Sequence, residues 1–247
     1  RDGVSVLREP SGNTNGNTVD LEGRLLSCEM GGRRVSRTNA DGSVSTLVNK
    51  YNGKLLTSPN DVVVKSDGTV WFSDPDYGYL HPELGHGQIP QQEKNRVYRY
   101  DPSTGQVTAV VDELEKPNGL TFSLDESVLY VSDTGRTHGE NRPHNVHAFD
   151  VIDGNRLANR RVFCDVDAWV PDGMRFDSEG NLWVSAGDGA QCFDSNGMLL
   201  GKIRTPEIAA NLSFGRPDLK TLFITATSSV WSIPVNIPGA TRTSRGA

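Results

Sequence analysis

The 247-residue chain is short of the features that most readily identify a protein. It has three cysteines, Cys28, Cys164 and Cys192, odd in number and far apart. They make neither a disulfide framework nor a CxxC metal pair, so buried free thiols are expected. Aromatic residues are only 7% of the chain, and no apolar run approaches the length of a membrane span. "RDGVSVLREP" (1–10) lacks the apolar core of a signal peptide. A processed export signal would leave the same absence, so cytoplasm and periplasm both stay open. Thirty-one acids against 25 bases give a net charge of −6 without charge runs, which argues against a nucleic-acid surface. There is no GxSxG elbow and no HExxH, which disfavours a serine hydrolase or a zincin. "GDGAQCFDSNG" (187–197) is a Gly-rich hairpin and not a phosphate loop, because no Lys-Ser/Thr or helix follows it. Helical periodicity is nearly absent.

What the chain does have is glycine, proline and a repeat. Twenty-six glycines and 13 prolines suit many short strands joined by turns. A polar turn followed by an apolar strand occurs in "DLEGRLLSCE" (20–29), "KSDGTVWFSD" (65–74), "SLDESVLYVSD" (123–133), "DSEGNLWVSAG" (177–187) and "GRPDLKTLFITAT" (215–227). The turn residues Gly23, Gly68, Ser127, Gly180 and Lys220 lie 45, 59, 53 and 40 apart. Such intervals suit four-stranded propeller blades, some with insertions. Period-2 alternation marks hairpins at 33–48, 96–111 and 146–163, the first turning at Asp41-Gly42. The expected fold is therefore an all-β propeller, with 1–247 as one domain.

Upstream of the turns stand Asn17, Asn60, Asn118, Asp172 and Asn211, at offsets of 6, 8, 9, 8 and 9 residues. Three of these follow proline, in "SPNDVVV", "KPNGLTF" and "VPDGMRF". Asn and Asp are poor strand formers, yet here they open strands. In a propeller the first strand of each blade lines the channel, so equivalent starts converge on the axis. Asn60, Asn118 and Asp172 would then bring oxygen donors together, a set that suits Ca²⁺ first and admits Mg²⁺ or Mn²⁺. A cation with open positions polarises a carbonyl or phosphoryl oxygen, and Asp61 or Asp172 could accept the proton of an attacking water. For a single site, an Asx side chain capping its own turn is the commoner explanation. Three in one register weaken that explanation.

"SPNDVVVKSDGTVWFSDP" (58–75), "KPNGLTFSLDESVLYVSDT" (116–134) and "VPDGMRFDSEGNLWVS" (170–185) closely resemble the SMP-30/gluconolactonase/luciferin-regenerating-enzyme-like family. "SGNTNGNTVDLEGRLLSCEMGGRRVSRT" (11–38) is similar to its bacterial gluconolactonase branch. The resemblance runs from about residue 12 to 227 and implies a six-bladed ring with one divalent cation on the axis, Zn²⁺ joining the admissible ions. It implies Asn60, Asn118 and Asp172 as metal ligands, Asp61 in the substrate pocket and Asp172 as base. It also implies a fourth ligand, a Glu in a Glu-Gly-Pro-like motif opening the first blade, and this chain has none; Glu9-Pro10 falls outside such a setting. Residues 1–10 read as the last strand of a first blade that is incomplete in this chain, about one blade of ~40–50 residues being missing.

Asn17 and Tyr77 are further substrate-binding candidates, Tyr77 with His81 and His86 in the long insertion "SDPDYGYLHPELGHGQIPQQE" (73–93). His144 and His147 would face opposite sides of a strand, which argues against a metal pair. Asp74 and Asp133 read as turn residues, Arg175 and Trp183 as packing near the Asp172 strand. The expected activity is metal-dependent opening of a sugar lactone, with D-glucono-1,5-lactone the first candidate. A fluorophosphatase-type phosphotriesterase and a non-catalytic binding propeller are the alternatives. The expected partner is a small-molecule lactone, with no nucleic acid or membrane and a monomer or weak dimer as the assembly.

Overall fold

A computed structural model describes residues 5–241. Five antiparallel sheets follow one another along the chain. Sheet I holds β1 (Thr14–Val19), β2 (Leu25–Glu29), β3 (Arg34–Thr38) and β4 (Val44–Val48), and a small hairpin, β5 (Lys50–Tyr51) and β6 (Lys54–Leu55), follows it. Sheet II holds β7 (Val62–Val64), β8 (Val70–Asp74), β9 (Arg96–Asp101) and β10 (Gln106–Val111). Sheet III holds β11 (Pro117–Phe122), β12 (Val128–Asp133), β13 (Asn145–Ile152) and β14 (Arg156–Asp165). Sheet IV holds β15 (Met174–Phe176), β16 (Leu182–Ala186), β17 (Gly189–Phe193) and β18 (Leu199–Arg204). Sheet V has three strands, β19 (Ala209–Gly215), β20 (Thr221–Ala226) and β21 (Val230–Pro234). Every sheet is a meander whose first strand packs on the first strand of the next, β1 on β7, β7 on β11, β11 on β15 and β15 on β19. This is an all-β propeller.

The number of blades is where sequence and structure part. Six were expected, the first incomplete; the described residues form five sheets. Residues 5–13 carry no strand, so the stretch read as the end of an earlier blade is not one over residues 5–10; residues 1–4 lie outside the described residues. Gly12 and Asn13 take φ of +73° and +55°, which breaks extended pairing just before β1.

The core is divided between neighbouring sheets. Phe72 packs with Leu26, Val35 and Tyr98 between sheets I and II, whereas Trp71, its neighbour in β8, packs with Leu120, Leu129 and Phe149 between sheets II and III. Successive side chains of a strand point to opposite faces, and a blade with a neighbour on each side buries both. β8 is accordingly buried along its whole length, with Val70, Trp71 and Phe72 followed by Ser73 and Asp74, and both aromatics fully buried. Burying such a side chain contributes about 1.5–3 kcal/mol. The three cysteines are free and buried, as expected.

All five first hairpins close with the same turn. The left-handed position is Gly23, Gly68, Glu126, Gly180 and Leu219, and its N–H donates to the residue three before, Asp20, Lys65, Ser123, Asp177 and Arg216. Glycine takes that conformation without strain. Glu126 takes it while its carboxylate accepts from Ser66 N (2.7 Å) and pairs with Lys65 (3.1 Å) on the neighbouring blade. The hairpins at 33–48, 96–111 and 146–163 are present as β3–β4, β9–β10 and β13–β14. Among the described residues no helix is long and apolar enough to cross a membrane.

Candidate metal-binding and catalytic site

The ring begins one step ahead of the inner strands. Asp74, at the end of β8, reaches back and accepts from the backbone N–H of Thr57 and Ser58 (2.7–3.0 Å), the residues leading to Pro59. Asp133, at the end of β12, does the same for Glu115 and Lys116 (2.9 and 3.0 Å), which lead to Pro117. These two acids clasp the strand starts that carry Asn60 and Asn118 rather than merely closing turns. Burial pushes the Asp74 carboxyl up to about 7 against its N–H donors.

Hydroxyls then tie each blade to the next. Ser73 donates to Asn118 O (2.6 Å), Ser132 to Asp172 O (3.1 Å) and Ser185 to Ala210 O (3.0 Å). With their main chains pinned in this way, the ring residues are free to turn their side chains toward the axis. The backbones approach so closely that a Cβ on Gly119 would lie 2.0 Å from Asp172 O, and one on Gly16 2.5 Å from Asn60 O. At these two positions glycine is thus a spacing requirement, whereas Asn60 is followed by Asp61.

Asn60, Asn118 and Asp172 line one cavity of about 270 Å³. Asn118 Oδ1 is buried and accepts no hydrogen bond, an arrangement that costs about 1–3 kcal/mol unless a partner is supplied. Asp172 keeps part of its surface open to the cavity, yet its protein surroundings, with Asp61 nearby, push its carboxyl up to about 8. Two neutral amide oxygens, one of them the orphaned Asn118 Oδ1, and one carboxylate fit a hard divalent cation. Among the described residues no three His, Cys, Asp or Glu side chains converge, so a cation here would be held largely by amides. Glu9 is exposed and lies outside the cavity lining.

Asp61 occupies a layer below. It is buried, its Oδ1 accepts from Val62 N (2.9 Å) and its Oδ2 has no partner. Burial raises its pKa and the Arg175 guanidinium partly offsets this. It does not line the cavity shared by the three ring residues. Arg175 lines a second, more polar cavity with Asn15, Asn17, Asn60, Asp172 and Asn211. Trp183 packs on Phe214 at 6.3 Å and donates to Asp177 (3.0 Å), a packing role as expected.

The first-blade assignment needs correction. Asn17 pairs with Ser27 as Val62 pairs with Phe72 and Met174 with Val184, so it is two residues inside the strand. Asn15 is the ring residue: it precedes left-handed Gly23 by the same eight positions that separate Asn60 from Gly68, Asn118 from Glu126 and Asp172 from Gly180. Asn15 lines both cavities, whereas Asn17 lines only the polar one, its Oδ1 accepting from Ser27 (2.8 Å). Asn17 stands only six positions before Gly23, short of the eight that the other three blades keep. Asn211 also leaves the ring. A shift between Ala209 and Asn211 puts Ala210 on the cavity wall and turns Asn211 Oδ1 to Leu212 N (2.8 Å), as Asp61 turns to Val62.

Tyr77, opening the one-turn helix α1 (Tyr77–Leu80), and His81, between it and the one-turn helix α2 (Pro82–Gly85), line the cavity from the insertion before β9. Tyr77 is buried, its hydroxyl paired with Thr134 and its ring stacked on His138 at 6.0 Å. His86 lies outside the lining, against Gly31. Trp169, Leu84 and Ile208, on the same cavity, had no distinguishing sequence signal.

Residues 3–228 match the family model described as "SMP-30/Gluconolactonase/LRE-like region". A gluconolactonase from Zymomonas mobilis is 32% identical over 92% of this chain and 68% of its own length. The lactonohydrolase oryL of Aspergillus oryzae is 29% identical over 81% of this chain and 49% of its own. Thus the chain spans between about half and two thirds of those relatives. The solved structure of a gluconolactonase from Xanthomonas campestris superposes with a TM-score of 0.87 at 41% identity, over 95% of this chain and 75% of that one.

Proposed function

The chain belongs to the SMP-30/Gluconolactonase/LRE-like family, and from that premise we propose that it is a metal-dependent hydrolase opening lactone rings, D-glucono-1,5-lactone to gluconate among them. The observation that carries the proposal is the buried, unpartnered amide oxygen of Asn118 on one cavity with Asn60 and Asp172. Other buried amide oxygens, those of Asn145 and Gln191, also lack a partner, but Asn118 Oδ1 is the one on the cavity with a second amide and a carboxylate. The proposed ring is the six-bladed one of the family, five of its sheets being described here.

Asn60, Asn118 and Asp172 would hold the cation, Ca²⁺ being the first choice for an all-oxygen set. When bound, it supplies polarisation of the lactone carbonyl and stabilises the charge that develops there. Asp172, which reaches the cavity, is the proposed base for the attacking water, and a bound cation would favour its deprotonated form. Asp61 works from beneath: its negative charge raises the proton affinity of Asp172. Water adds to the carbonyl carbon, the ring C–O bond breaks, and the proton passes to the departing alkoxide. The two acids then repel the product carboxylate.

Gluconolactone opening, measured above its spontaneous rate with and without EDTA, tests this. Chelation should abolish turnover and Ca²⁺ should restore it. A rate indifferent to chelation would remove the metal from the proposal, and no rate above background would remove the activity.

A further inference from the structure

Trp169 stands at the cavity mouth with φ +63°. A bulky residue in the left-handed region is strained by about 1–3 kcal/mol, and such strain persists only where the surroundings over-determine it. Here they do. Val166 and Val170 on either side are buried, Ala168 O accepts from Gly187 N (2.8 Å), and Asp167 accepts from Gln191 Nε2 (2.8 Å). Residue 187 is glycine by necessity, since a Cβ there would come within 2.6 Å of Trp169 Cβ.

The strain is not repaid by burial, because Trp169 remains 48% exposed. Two more large apolar side chains, Leu84 (42% exposed) and Ile208 (50% exposed), reach the same mouth from other segments. The hydroxyls of Thr134 and Thr137 on the wall are already committed, to Lys116 O (3.1 Å) and Thr134 O (2.8 Å). This mouth therefore offers contact area more than hydrogen bonds.

Building on the lactonase reading, we propose that Trp169, Leu84 and Ile208 form an apolar collar that grips a hydrocarbon substituent on the lactone ring, with Trp169 the specificity-determining residue. The preferred substrates are lactones bearing an alkyl or aryl group.

The matched pair δ-valerolactone and δ-octalactone, the same ring without and with a three-carbon tail, reads the collar directly. In the holoenzyme the KM for δ-octalactone should be about tenfold the lower, from burial of the tail. Trp169→Gly should shrink that gap to within about threefold, the change falling on the KM for δ-octalactone rather than on that for δ-valerolactone. It should also raise the thermal midpoint, because glycine adopts φ +63° freely; a purely structural tryptophan would give the opposite shift. A double variant, Leu84→Ser with Ile208→Ser, should narrow the gap in the same direction. Equal KM values in the native chain, or a gap that survives both variants, overturns the collar. Failure to open any lactone would instead overturn the activity beneath it, and the collar would then be read by quenching of tryptophan emission with δ-octalactone. That quenching should be present in the native chain and lost in Trp169→Gly; its absence from the native chain overturns the collar.

Discussion

The two ends of the inner strands obey different rules. At one end all five blades carry the same turn, with a left-handed residue and an N–H bonded three residues back. At the other end the first four blades present Asn15, Asn60, Asn118 and Asp172, and the fifth presents Ala210. The turn repeats because each reversal is closed by a left-handed residue, which glycine adopts most freely; the third hairpin is one residue longer and the fifth adds a left-handed Arg216. The ring end is free to vary because neighbouring blades hold its main chain through Ser73, Ser132 and Ser185. One end thus serves the fold, and the other is the one on which the proposed chemistry rests.

Substitutions on the two ends should separate accordingly. The largest effect is expected at the ring: Asp172→Asn or Asn118→Ala should lower kcat/KM by about 10²–10³ while leaving the circular dichroism spectrum unchanged. Full activity in either would dissolve the distinction. Next is Gly119→Ala, whose Cβ would press on Asp172 O. It should cost about 3 kcal/mol in urea unfolding by forcing two blades apart, and a neutral result would mean that the ring yields.

pH sharpens the comparison further. Asp172 and Asp74 have native pKa values raised from 3.8 to about 8 and about 7. Because these are raised, their stabilising contribution is full below about pH 4 and is lost as pH climbs through about 7–8. The thermal midpoint of EDTA-treated protein should therefore fall between pH 5 and 8, and Ca²⁺ should restore it at pH 8. A cation competes with the Asp172 proton, so its affinity should rise toward tenfold per pH unit until about pH 8 and then level off. Isothermal titration across that range reads the slope, and a flat profile would remove Asp172 from the ligand set. The smallest effect belongs to the turn end: Leu219→Gly relieves a positive φ of 54° and should stabilise by less than about 1 kcal/mol at unchanged activity.

Much of this was legible in residues. The five turns, the hairpins, the glycines after Asn118 and Asp172, and the oxygen-bearing trio all stood in the sequence. The first-blade ring residue was misread as Asn17, although the eight-residue spacing to the left-handed turn residue that holds in the next three blades points to Asn15. Asp61 looked like a pocket residue and lies beneath the pocket, since its side chain turns to the backbone of Val62. Trp169 gave no warning at all, its importance residing in a dihedral angle.

By itself, then, the amino-acid order dictated the propeller. Alternating apolar residues and turn-forming glycines act locally, and each blade declares itself within about 45 residues. Only the tertiary structure decided which asparagine lines the cavity, which carboxyls burial pushes up and which tryptophan stands at the mouth in a left-handed conformation. Those properties come from contacts between blades far apart along the chain, where bulges, burial and backbone strain are set by neighbours that no local pattern records.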